Sequence, residues 1–120
     1  MIEEFVSRMF ALRDASHVAH WAAKGDGSFS AHMALGEFYE ALVEKTDEIV
    51  EVYQGFFGLI KPVNPLPYNR DKIMEQIQSE AKWLSNNCEE ICQGNGAIEN
   101  LLYDMQALMA RTYYKLKNLK

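Results

Sequence analysis

Three features of the sequence predict an all-helical fold, a four-helix bundle made of two helical hairpins joined by one crossover. Apolar residues recur at spacings of three and four along four stretches, glycine-containing breaks pair those stretches, and all three prolines fall in the segment between the pairs. No segment with the strand period of two competes.

From Ile2 to Lys24 the apolar residues Ile2, Phe5, Val6, Met9, Leu12 and Ala19 form the stripe of an amphipathic first helix. Gly25-Asp26-Gly27 breaks it, and Ser28 is the expected N-cap of a second helix over 28–57, patterned by Phe29, Leu35, Tyr39, Leu42, Ile49 and Val52 and ending near Gly55 or Gly58. Lys61-Pro62-Val63-Asn64-Pro65-Leu66-Pro67 cannot be helical and is expected to run extended between the halves. A third helix over 70–92, opened by Asn69 or Arg70, carries Ile73, Ile77, Leu84, Cys88 and Ile91 on one face. Gly94-Asn95-Gly96 then turns the chain into a fourth helix over 96–118, with an apolar pattern through Ile98, Leu101, Leu102, Met105, Leu108, Met109, Leu116 and Leu119.

A chain of 120 residues, 48% hydrophobic and 24% charged, suits one globular domain over 1–120 and leaves no room for a second. Met1-Ile2-Glu3-Glu4 has neither the basic nor the apolar region of a signal peptide, and no apolar run reaches the ~20 residues of a membrane span, so a soluble, cytoplasmic protein is expected. A net charge of -5 argues against nucleic-acid binding, because non-specific affinity scales with the cations offered to phosphates. Lys115, Lys117 and Lys120 are expected to complement the negative end of the last helix. Cys88 and Cys92, four apart on one helix, read as two small buried hydrophobes rather than a zinc or disulfide motif, and the methionines as core filler. Phosphate-binding glycine loops, nucleophile motifs, HExxH and ExxH pairs are all absent.

The polar residues of the first hairpin remain. With a turn centred near Asp26, antiparallel packing sets His20 opposite His32, and two imidazoles at one depth can share a metal. Asp47 and Glu51 project from one face of the second helix. Fifteen residues separate His32 from Asp47, about 22 Å at the helical rise, so one subunit cannot close both pairs on one ion. Two copies meeting through antiparallel second helices would bring the histidines of one to the carboxylates of the other.

His20-Trp21-Ala22-Ala23-Lys24-Gly25, Phe29, His32, Phe38-Tyr39 and Asp47-Glu48-Ile49-Val50-Glu51 resemble, without gaps, the helix signature of the Dps family, the miniferritins known as DNA-binding proteins from starved cells. The resemblance implies a ferritin-like bundle and an iron-oxidising centre shared between subunits, with His20, His32, Asp47 and Glu51 as ligands and Trp21 beside them. Three features depart from that family. Gly36 stands where it usually has an acidic ligand, and Glu37, rotated about 100°, is a poor substitute. The connector is short, and no basic tail precedes the first helix; DNA binding is not expected, and the size of the homo-oligomer, a dimer or larger up to a cage, stays open. His17, one turn before His20 and near the depth of Gly36, is a candidate replacement ligand.

The expected function is therefore Fe(II) binding at a homodimer interface, with ferroxidase activity as its enzymatic form and manganese or zinc as other metals for the same ligands. The rival is a non-catalytic helical homo-oligomer serving as an assembly or interaction module.

Overall fold

In the computed structural model, which describes residues 1–120, the chain forms four α-helices: α1 (Ile2–Ala22), α2 (Ser28–Phe57), α3 (Ile73–Cys92) and α4 (Gly96–Asn118). They build a four-helix bundle of two hairpins with one crossover. Helix α1 packs on α2 and α3, and α4 packs on the same two, so α1 and α4 lie on one diagonal. The molecule measures 47 × 25 × 21 Å, its length set by α2 at about 1.5 Å per residue.

The crossover is tied to α1. The Lys61 amide donates to the Glu3 carboxylate at 3.0 Å, and the Ser7 hydroxyl donates to the Asn64 carbonyl at 2.6 Å. Leu66, Pro67 and Tyr68 then lie by Arg8 and Leu12, so the segment climbs α1 and delivers Ile73 beside Ala22 and Ala23. It is extended as the prolines require, and α3 consequently runs antiparallel to α1.

The core is one apolar cluster drawn from all four helices, with Phe5, Phe38, Leu42, Leu84, Leu102 and Met105 fully enclosed. Cys88 and Cys92 are free, buried thiols within it. Burial pushes the Cys88 thiol up to about 11, which keeps it protonated and inert at neutral pH. Met9, Met105 and Met109 fill the core, whereas Met33 is exposed.

The helix ends differ from the sequence expectation in three places. Helix α1 stops at Ala22, two residues early, because Ala23 is extended at φ -59° and ψ 125°. Helix α2 is capped by Gly27 in the left-handed region, not by Ser28, which is already helical and makes no capping bond. Helix α3 starts at Ile73 rather than residue 70, because the Asn69 side chain accepts the Asp71 amide in a local turn and Lys72 takes a left-handed φ of 50°. Phe29, counted in the apolar pattern of α2, points outward and is 76% exposed.

Candidate metal centre

The α1–α2 hairpin places His20 and His32 face to face. Their ring centroids are 3.7 Å apart and their planes within 18° of parallel. The His20 Nδ1–H donates to the His32 carbonyl at 2.6 Å, and the His32 Nδ1–H donates to the His20 carbonyl at 2.9 Å. A carbonyl oxygen only accepts, so each Nδ1 must carry the proton, and in the neutral rings each Nε2 then holds a free lone pair. A ring nitrogen tied to a backbone carbonyl, with its opposite nitrogen unprotonated, is the tautomer that a metal-ligating histidine uses.

Gly36 explains why the rings fit. A Cβ at this position would lie 3.1 Å from His20 Cε1 and 3.3 Å from His20 Nδ1, so the His20 imidazole rests in the notch that the missing side chain leaves on α2. The space beside Gly36, near which the sequence makes His17 only a candidate ligand, is taken by His20. His17 instead stacks on Tyr39 with centroids 4.1 Å apart and planes within 20°, and lies 4.1 Å from the Trp21 ring. Burial, reinforced by the Arg13 charge, holds the His17 pKa below its ordinary 6.5, so His17 is neutral at pH 7. Its centroid is 6.3 Å from that of His20.

The site is completed by Tyr39, edge-on to His20 at 5.5 Å and under the Arg13 guanidinium, also at 5.5 Å. The resemblance left Tyr39 without a role, although its phase, seven residues after His32 on one helix, places it on the same flank. Trp21 is 68% exposed on that flank. Asp47 and Glu51 are exposed further along α2, away from the imidazoles. Within one chain no three histidine, cysteine, aspartate or glutamate side chains converge as a metal site would need. Glu37, one residue past Gly36, is turned away and pairs with Lys115 of α4 at 3.0 Å.

Residues 20–116 match DUF5856, a family of unknown function. The chain belongs to this family. The matched span opens at His20 and includes His32, Gly36, Asp47 and Glu51, so the imidazole pair lies inside the family's region whereas His17 lies just before it. No curated protein and no solved structure matches the chain.

Proposed function

We propose that this chain binds Fe(II) at sites shared across a two-fold homodimer, in the manner of the Dps miniferritins that its first hairpin resembles, and that bound Fe(II) is the substrate of a ferroxidase reaction in which peroxide or dioxygen takes the electrons and is reduced as Fe(II) becomes Fe(III). The observation that carries the reading is the reciprocal Nδ1 lock of His20 and His32, which presents two oriented Nε2 lone pairs on a half-buried flank. Imidazole alone suits several metals. Carboxylates added by Asp47 and Glu51 of a second copy would harden the site toward iron, with manganese and zinc as competitors.

An antiparallel α2 pair that sets His32 of one copy against Asp47 of the other also sets Gly36 against Val43. Val43 is 42% exposed, and Trp21 and Phe29 flank the same region, so the register would cover apolar surface while it assembles the ligands. The roles within the chain follow. His20 and His32 bind, their carbonyls fix each other's tautomer, Gly36 admits the His20 ring, and Trp21 and Tyr39 limit water at the imidazoles.

A second reading, a non-catalytic helical homo-oligomer acting as an assembly or interaction module, is favoured by Gly36, since the chain lacks a carboxylate one turn after His32. Metal analysis of protein purified without chelator, combined with light scattering, separates the two. A dimer retaining iron, and losing it in both His32→Ala and Asp47→Asn variants, supports the iron reading. A metal-free dimer that takes up no added Fe(II) supports the module, and a monomer removes the shared site.

A further inference from the structure

The bundle end that carries the α1–α2 turn is charged unlike the rest of the chain. Six of the twelve lysines and arginines gather there, namely Lys24, Arg70, Lys72, Lys115, Lys117 and Lys120, whereas of seventeen acidic residues only Asp26, Glu37, Asp71 and Glu75 do. Glu37 is already engaged by Lys115. On a chain of net charge -5, this leaves a cationic tip on an acidic body.

An open groove of about 440 Å³ lies at that tip, between the end of α1, the start of α2, the start of α3 and the end of α4. Its floor is apolar, formed by the half-buried Ala22, Ala31 and Ile73 with the buried Leu35 and Leu116 beneath them. Its rim carries Arg70, Lys72 and Lys120 against one acid, Asp71. Helix α3 opens at this rim with no side-chain cap on its first turn, which leaves amides of that turn free to donate, while the negative ends of α1 and α4 lie at the same tip and are met by its lysines.

A small inorganic anion has no use for the apolar floor, and an uncharged apolar ligand has none for the cations. A bilayer would need apolar side chains projecting beside the cations. Phe29, Met33 and Leu119 are exposed beside Lys115 and Lys120, but they line a separate cleft around the α1–α2 turn that shares only Lys120 with this groove, and the exposed Trp21 lies against His17 on the flank. We infer that the groove binds one amphiphilic anion, a carboxylate-headed acyl chain, with its tail between the helix ends and its head at Arg70 and Lys72. This inference stands apart from the metal reading, because no histidine or carboxylate of the metal site lines the groove.

The test is a fluorescence titration of the whole protein with 11-(dansylamino)undecanoic acid, followed by displacement with decanoate or decanol. The expected result is saturable one-to-one binding, displaced by decanoate well before decanol. The doubly neutralised variant Arg70→Gln/Lys72→Gln, altered only at exposed positions, should bind about tenfold more weakly, the scale of losing one charge-assisted contact. Ala23→Trp, just beyond α1, should block the groove while leaving the melting temperature near that of the wild type. Equal displacement by decanol, an unchanged affinity in the double variant, or binding to phosphatidylserine vesicles without binding to the monomeric probe would each overturn the proposal.

Discussion

In the α3–α4 hairpin the facing side chains are Leu84, Cys88, Ile91, Ile98, Leu102 and Met105, all buried, and the turn is fixed by Asn95, whose side chain accepts the Ile98 amide at 3.0 Å. In the α1–α2 hairpin the turn rests on Gly25 and Gly27, both left-handed, with no side-chain cap, and His20, His32 and Tyr39 occupy the seam. Both hairpins are antiparallel and closed by a few residues, yet one is held by non-directional apolar burial and the other partly by directed hydrogen bonds. Apolar burial tolerates changes of shape and penalises changes of volume, whereas a reciprocal hydrogen-bonded pair penalises the loss of either partner. Polar residues at a seam that burial alone would close suggest a demand other than stability.

The contrast is sharpened most by the largest expected effect. Leu84→Ala removes a fully enclosed side chain from the second hairpin and should destabilise the fold by about 2–5 kcal/mol in urea unfolding. In the first hairpin His20→Ala and His32→Ala should each cost less. Because each ring serves the other's carbonyl, their double-mutant cycle should show a coupling of about 1–2 kcal/mol. A coupling near zero would mean that the two imidazoles are independent, and the distinction between the hairpins would lose its basis. Asn95→Ala should cost about 1 kcal/mol by removing the cap of α4, while Ser28→Ala, at a position with no capping bond, should change little.

Much of the fold was legible because it rests on period and punctuation. The spacings of the apolar residues, the two glycine turns and the three prolines are local signals, and four helices, two hairpins and the extended connector follow from them. Helix starts were less legible. Ser28 and Asn69 each have the chemistry of an N-cap, but Gly27 takes the cap of α2 and Asn69 closes a turn three residues before α3, since these choices depend on how the chain enters the bundle. At the candidate site, counting outward from Asp26 sufficed to set His20 against His32. The same count put His17 near the depth of Gly36 as a candidate and could not show that His20 fills the space there, because ring orientation depends on rotamers and hydrogen bonds that residue numbers do not encode.

A smaller effect separates His17 from the locked pair. Burial depresses the His17 pKa, so the folded state disfavours its protonation more than the unfolded state does. Its contribution to stability is present above the ordinary 6.5 and is lost as pH falls through the lowered folded value. His17→Gln should therefore flatten the stability curve just below pH 6.5, and NMR titration of the wild type should place the His17 midpoint lower than 6.5. A midpoint at or above 6.5 would show that the stack on Tyr39 does not desolvate the ring.

The smallest change in stability is expected at Gly36, where two effects oppose each other. Alanine is the better helix former by about 1 kcal/mol, and Gly36 lies well inside α2, so propensity alone favours Gly36→Ala. Against this, the new Cβ would stand 3.1 Å from His20 Cε1, and the imidazole must retreat by a few tenths of an ångström. That ring is not free to do so, being held by a 2.6 Å bond to the His32 carbonyl and stacked on the His32 ring. The two effects should offset to within about 0.5 kcal/mol, leaving the melting temperature almost unchanged while the His20 bond loosens. Long-range ¹H–¹⁵N spectra of the imidazoles check this directly, since a loosened Nδ1–H gives a mixture of tautomers where the wild type shows one. A gain of the full ~1 kcal/mol with a single His20 tautomer retained would show that the ring yields freely, and Gly36 would then be no more than a weak spot in α2.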